Sequence, residues 1–250
     1  MRIRLALAAL AVVVLPSLVG CGGGSDERPP AKDTTTVDVG GVLVNAIMRP
    51  PGQPVTGTEE LVTVVFLHGK SYTSRIWDDR KILDRVAQAG WRAVSVDLPG
   101  YGDTPELSDD DTGSTISNGT WLRELIGKLG GPGSVVVVSP SMSGSYSLDY
   151  LEQYPKEKLL GFVPVAPVGI DDFERPKDAA PIRTMSIWGS EDPSYTKARA
   201  DHLTEQMRAP DGEAQTQVIE GAGHACYDDA PKEFTAILLS FLRSLDETGS

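Results

Sequence analysis

The segment SVVVVSPSMSGSYSL, residues 134–148, carries the strongest chemical signal in the chain. Four consecutive valines run into a turn of small residues, Ser139 to Gly144, and then into a helical pattern. A strand, a tight turn and a helix in that order can hold a serine out as an exposed nucleophile, provided that small neighbours tolerate a strained backbone. Serines recur at 139, 141, 143 and 145. Counted from the end of the apolar run, only Ser141 falls at the tip of the turn, with Ser139 and Ser143 at the two positions where glycine commonly stands. Met142 follows, and its backbone N–H can face a developing oxyanion. A serine-rich turn that only caps a helix would read much the same way, so the assignment depends on finding partners for the serine.

A serine hydroxyl is a weak nucleophile until a base takes its proton, and a histidine in that role needs a carboxylate to fix its tautomer. The chain has three histidines, His68, His202 and His224. His202 sits between Asp201 and Glu205 in a helical stretch and reads as a surface residue. His68 opens HGK directly after an apolar run, a place suited to an oxyanion loop. His224, in EGAGHACY, occupies a glycine-hinged loop after the last strand signal and before the last helix, which suits the base. For the acid, MSIWGSEDPSY places Glu191 and Asp192 just past another strand. Asp192 is preferred because Asp-Pro after a short glycine turn sets the carboxylate at the sheet edge; Glu191 is the alternative. The second oxyanion donor is assigned to the backbone amide of Lys70, whose side chain can equally face the cleft or solvent. Cys226, two residues past the base, reads as a small packing residue. With two cysteines and three scattered histidines, no metal-ligand spacing and no cofactor are expected.

These residues need elements that bring them to one place. Val37 to Pro50 reads as two short strands turning at Gly40-Gly41, followed by a loop at 51–60. VTVVFL (62–67), WRAVSVDL (91–98) and SVVVVS (134–139) are apolar runs of the kind found in strands covered on both faces of a parallel sheet. Later strands are expected at Gly161–Val165, Ile182–Trp188 and Gln215–Ile219. Helical spacing marks 76–89, 121–129, 144–153, 196–207 and 231–245. Alternation of buried strands with amphipathic helices predicts an α/β fold with a mostly parallel sheet and helices on both faces.

The N-terminus reads differently. Met1–Gly20 has a basic start at Arg2 and Arg4, then LALAALAVVVL, then LVGC at 18–21. This is the pattern of an export signal, and its apolar core is too short for a retained span. LVGC resembles the lipobox of bacterial lipoproteins. That resemblance implies cleavage before Cys21, lipid on Cys21 and a membrane-anchored protein of the cell envelope. Residues 21–36 contain no large apolar side chain and read as a flexible tether, with the folded domain at 37–250. The formal net charge of −12 argues against a nucleic-acid surface, because phosphate binding needs clustered Lys and Arg. A monomer is expected.

With these residues in place, the chain resembles the α/β-hydrolase superfamily, and within it the α/β-hydrolase domain-containing protein 14 family. The supporting stretches are FLHGKSYTSRIW (66–77), LDRVAQAGWRAVSVDLPGYGDT (83–104), VVSPSMSGSYSL (137–148), GFVPVAPVG (161–169), GSEDP (189–193) and GAGHACY (221–227). The resemblance implies Ser141 as nucleophile, Asp192 as acid and His224 as base, in the nucleophile–acid–base order of that superfamily. It also implies an esterase-type activity on a small-molecule or acylated substrate. Only sixteen residues, 166–181, separate two strands where many relatives insert a cap, so no large cap domain and an open, shallow cleft are expected. The leading reading is a membrane-tethered serine hydrolase. Two others stand beside it: an acyltransferase or deacylase using the same three residues, and a non-catalytic binding protein of the same fold.

Overall fold

In a computed structural model, the described residues are 34–52, 61–107, 116–208 and 213–246. The export signal, Cys21 and most of the tether lie outside them. Among the described residues, no helix is long and apolar enough to cross a membrane.

Eight strands form one sheet. They are β1 (Thr34–Val39), β2 (Val42–Arg49), β3 (Thr63–Phe66), β4 (Arg92–Val96), β5 (Val135–Pro140), β6 (Gly161–Val165), β7 (Thr184–Gly189) and β8 (Ala214–Ile219). Their order across the sheet is β1-β2-β4-β3-β5-β6-β7-β8. β1 and β2 form an antiparallel hairpin on one edge, β2 pairs antiparallel with β4, and from β4 to β8 every pairing is parallel. The sequence spacing places the first strand at Val37. In the structure it begins at Thr34, and Thr34, Thr35 and Thr36 pair with Ile47, Ala46 and Asn45. Residues assigned to the tether therefore already belong to the sheet, because threonine suits an edge strand even without apolar neighbours.

The valine runs are continuous because the sheet is covered on both sides. Val65, Leu67, Val135 and Val137 point into one apolar cluster and Val64, Phe66, Val136 and Val138 into the other. The first cluster is closed by α3 (Asn118–Leu129), α4 (Gly144–Gln153) and α5 (Lys197–Arg208). The second is closed by α1 (Arg75–Asp79), α2 (Ile82–Gln88) and α7 (Pro231–Asp246), with the short α6 (Cys226–Asp229) at its end. Each fully buried valine or leucine contributes about 1.5–3 kcal/mol of transfer free energy, so the two clusters are the main source of stability.

The spacing at 76–89 predicts one helix, and the structure contains two. Lys81, at φ 59°, breaks the run. The break lets α1 turn Trp77 inward, where its indole N–H donates to the Leu67 carbonyl at 2.8 Å, while α2 packs Ile82, Leu83 and Val86 on the sheet. Arg49 braces the bend, donating to Asp78 at 2.6 Å and Asp84 at 2.9 Å from the end of β2. Residues 166–183 form no cap. They contain one short 3-10 turn, Ile170–Asp172, and lie along α5, where the Arg175 guanidinium donates to the carbonyls of Met207 and Ala180.

Arg49 is mostly buried between two carboxylates, so its removal leaves partly desolvated charges without a partner. Arg49→Ala should destabilise the fold by about 2–4 kcal/mol in urea unfolding, with the secondary structure retained. A shift within about 0.5 kcal/mol would show that the brace contributes nothing beyond a surface ion pair.

Candidate active site

In a parallel sheet the segments after successive strands emerge at the same edge, and ligands commonly bind there. The segments after β3, β5, β7 and β8 carry His68, Ser141, Asp192 and His224 in turn. Chemistry-bearing residues far apart in sequence are thereby brought to one edge.

Ser141 follows β5 directly and opens a 3-10 turn, Ser141–Ser143, that runs into α4. Its φ of 49° is in the left-handed region, which costs a non-glycine residue about 1–2 kcal/mol. Several contacts hold it there. The Ser143 hydroxyl donates to the Pro140 carbonyl at 2.8 Å, that of Ser145 to Met142 at 2.8 Å, and the Val168 amide to the Ser141 carbonyl at 3.0 Å. Ser139 and Ser143, at the usual glycine positions, are buried. The Ser139 hydroxyl lies 3.1 Å from that of Ser143 and 2.7 Å from that of Ser147, tying strand, turn and helix together. True glycine is needed one residue later: a Cβ on Gly144 would lie 2.5 Å from the Val168 carbonyl oxygen.

His224 reaches Ser141 across this edge. Its Nε2 is 2.8 Å from Ser141 Oγ, and its Nδ1 is 2.8 Å from Asp192 Oδ2. Asp192 has 1% of its side chain exposed and His224 43%. A buried carboxylate against Nδ1 places the ring proton there, leaving Nε2 to accept the Ser141 hydroxyl proton. The Ser194 amide donates to Asp192 Oδ1 at 2.8 Å and the Ser194 hydroxyl to Oδ2 at 2.9 Å, so both carboxylate oxygens are held. Glu191, the alternative acid, is exposed; its backbone amide anchors the histidine loop through the Ala222 carbonyl at 2.9 Å. That loop rests on the end of β7. A Cβ on Gly189 would lie 2.2 Å from the carbonyl oxygens of both Ala222 and Gly223, so only glycine admits it. The Asp229 carboxylate accepts the Gly223 amide at 2.9 Å.

On the other side of Ser141 lies the loop after β3. His68 is buried; its Nε2 accepts the Leu98 amide at 3.0 Å, which leaves Nδ1–H to donate to the Gly69 carbonyl at 2.9 Å. Burial, opposed by the Gly69 bond and the Asp97 charge, lowers its pKa, so it is a neutral brace rather than a second base. Asp97 ties the loops behind it, accepting from the Ser74 amide at 2.7 Å, Asn45 Nδ2 at 2.8 Å and the Asp103 amide at 3.0 Å. Lys70 is exposed beside Gly69, and the half-buried Met142 accepts the Tyr101 hydroxyl at its sulfur at 3.0 Å.

Cys226 is fully buried, and its thiol is pushed up to about 12, first by burial and then by the charges of Asp229 and Asp192. A thiol held protonated is a poor nucleophile. Among the described residues no group of three His, Cys, Asp or Glu side chains is placed to hold a metal ion. Sequence reasoning missed Ser194, Asp97 and the Ser139–Ser147 contact. The D-P-S spacing was a usable signal for the first, since an aspartate commonly accepts the amide two residues on.

His68 generates a stability prediction with a definite sign. Burial holds its folded pKa below the ordinary histidine value of about 6.5, so as pH falls the unfolded chain takes the proton first. The contribution is whole above about pH 6.5 and is lost as pH falls below it. Urea unfolding at pH 7.5 and 5.5 should show a larger loss of stability for the native protein than for His68→Asn. Equal losses would contradict the assignment.

Comparisons with known proteins agree with the fold. A family model described as "Alpha/beta hydrolase family" matches residues 64–184. A rat protein named "Putative protein-lysine deacylase ABHD14B" is 36% identical over 195 residues, 77% of this chain and 89% of that protein. Human "Protein ABHD14A" is 31% identical over 255 residues, covering 98% of this chain and 88% of that protein. Among solved structures, a CIB-like hydrolase from Thermoplasma acidophilum superposes with a TM-score of 0.66 at 23% identity, covering 84% of this chain and 97% of that one. An esterase from Exiguobacterium antarcticum superposes at 0.63 and 17% identity, covering 84% and 99%. At those identities the structural likenesses establish the shared fold. With a mostly parallel eight-stranded sheet sandwiched between helices and more than 30% identity over most of a relative's length, the chain belongs to the α/β-hydrolase superfamily and, within it, to the ABHD14 proteins.

Proposed function

We propose that the protein is a serine hydrolase that cleaves an ester or related acyl substrate through an acyl-enzyme. The observation that carries this reading is the unbroken hydrogen-bonded chain Ser141–His224–Asp192, with both links at 2.8 Å and the carboxylate buried. Ser141 Oγ attacks the acyl carbon while His224 Nε2 takes its proton, and Asp192 balances the imidazolium that forms. The carbonyl electron pair moves onto oxygen, where the backbone amides of Met142 and Lys70 stabilise it, each donor worth about 3–4 kcal/mol in such sites. His224 returns the proton to the leaving group. Water, activated by the same histidine, then releases the acid.

Turnover of short p-nitrophenyl esters tests the roles. Ser141→Ala and His224→Ala should lose about 10⁴-fold or more in kcat, and Asp192→Asn about 10⁴-fold, while Glu191→Gln stays near the native rate. Native-like turnover by Ser141→Ala would overturn the reading. Sensitivity at Glu191 with indifference at Asp192 would overturn the acid assignment.

A deacylase reading keeps the same residues and changes the substrate to an acylated lysine. The name carried by the ABHD14B relatives favours it, as does the capless stretch 166–183, which leaves room for a bulky chain. Acyl-lysine peptides compared with esters of the same acyl group separate the two readings by their kcat/KM.

We also propose that lipid on Cys21 tethers the enzyme to a membrane of the cell envelope. The basic start, short apolar core and LVGC at 18–21 support this. In an expressing bacterium, Cys21→Ser should abolish labelling by radioactive palmitate and move the protein out of the membrane fraction. Equal labelling and fractionation of the two forms would refute the anchor.

A further inference from the structure

Tyr227 has a hydroxyl that no described residue uses. The residue is 2% exposed and sits at the start of α6, three positions after His224. Its ring is fixed from three sides: stacked on Trp77 at 4.6 Å, and edge-on to Tyr72 at 5.7 Å and to Phe234 at 6.0 Å. The hydroxyl end points away from that aromatic packing toward the loop after β3. A methyl group on Gly69 would lie 3.3 Å from Tyr227 Oη and 3.5 Å from Ser141 Cβ, so one methyl-sized space separates the phenol from the nucleophile's side chain. This space lies between the loop after β3, which carries Lys70, and the turn that carries Ser141 and Met142, the two segments to which the oxyanion amides are assigned.

Buried tyrosine hydroxyls nearly always find a hydrogen-bond partner. The two other tyrosines around this loop are partly buried and have partners. The Tyr72 hydroxyl donates to Asp228 at 3.1 Å and the Tyr101 hydroxyl to the Met142 sulfur at 3.0 Å. The Tyr227 hydroxyl has no partner among the described residues, and although the ring is buried its oxygen is not closed off from solvent, so it can donate into the space beside Ser141. Burial pushes its pKa up, so it stays a neutral phenol able to donate.

Resting on the serine hydrolase reading, we propose that the Tyr227 hydroxyl is a third oxyanion donor, a catalytic residue that hydrogen-bonds the acyl oxygen of the substrate beside the backbone amides. As the bond from Ser141 Oγ to the acyl carbon forms, the carbonyl electron pair moves onto that oxygen. The serine proton goes to His224 Nε2, and Tyr227 keeps its own proton throughout, its hydrogen bond shortening as charge develops. Gly69 belongs to the same design, because any side chain there would fill the space between phenol and nucleophile.

Tyr227→Phe in the full-length protein isolates the hydroxyl, since the ring contacts survive and no protein partner is orphaned. With a p-nitrophenyl ester, kcat should fall about 100-fold with KM within about twofold, and the Tm should be unchanged. An unchanged kcat overturns the proposal. A rise in KM at constant kcat overturns it as well, by placing the hydroxyl on a part of the substrate that does not change charge. A lowered Tm accompanying the loss makes the role structural and likewise overturns it. Ser141→Ala is measured in the same assay: if the native rate is no higher than that variant's, the hydrolase reading fails and the Tyr227 assignment with it. A native rate far above Ser141→Ala with Tyr227→Phe fully active removes Tyr227 alone.

Discussion

A carboxylate with 1% of its side chain exposed has to find its hydrogen bonds inside the protein, and Asp192 finds three: the Ser194 amide, the Ser194 hydroxyl and His224 Nδ1. An unpaired charge at that depth would cost several kcal/mol, so the loop after β7 and the loop after β8 are held in the one arrangement that supplies these donors. The tautomer of His224 follows from it, and with the tautomer the ability of Nε2 to accept from Ser141. Removing the carboxylate therefore affects the direction of proton flow more than the position of the ring. The restraint extends outward. Arg199 donates to the Ser194 carbonyl at 2.8 Å and pairs with Asp171, which joins the acid loop to the stretch that stands where a cap would be.

The serine side of the site is built on strain held by packing. Ser141 adopts a left-handed backbone because the chain has to reverse from the end of β5 into α4 within three residues. Many such turns rely on glycine at both flanking positions. Here buried hydroxyls at 139, 143 and 147 bond to one another instead, so the turn is stiffened by polar contacts rather than only permitted by missing side chains. Glycine is kept where backbone meets backbone, at Gly144 against Val168 and at Gly189 against the histidine loop. A stiff nucleophile turn and a stiff acid loop leave His224, at 43% exposure, as the most accessible of the three groups. On the proposed reading, in which His224 is the base, its accessibility over a capless cleft suits a reaction with water as the second substrate.

Much of this was legible in the sequence, for identifiable reasons. Runs such as VVVV at 135–138 announce a strand buried on both faces, and their ends mark where loops can carry function. Ser141 and His224 followed from strand ends and from the small number of histidines. Asp192 was preferred to Glu191 only on the Asp-Pro after the glycine turn, because adjacent residues share most positional signals; the direction and burial of the side chain separate them in the structure. The break at Lys81 was invisible to helical periodicity, since Ile76, Ile82, Leu83 and Val86 keep an apolar stripe across it; Arg49, from a distant strand, pairs with Asp78 and Asp84 on its two sides. Thr34–Thr36 looked like tether because an exposed edge strand needs no apolar pattern. Asp97 and Tyr227 meet residues brought near by the sheet, Ser74 and Asn45 for the first and Trp77 and Tyr72 for the second, which no local spacing records, whereas the Ser194 contact with Asp192 is local and was open to sequence reading.

On the proposed reading Ser141 is a nucleophile activated by His224. The most direct test of that role is covalent: the folded, full-length protein is treated with a fluorophosphonate and digested, and the adduct is located by mass spectrometry, with His224→Ala run in parallel. The expected result is a single phosphonyl adduct on the peptide carrying Ser141, formed quickly by the native protein and lost or greatly slowed in the variant. A folded native protein that stays unlabelled at Ser141, or that labels equally fast without His224, would contradict it.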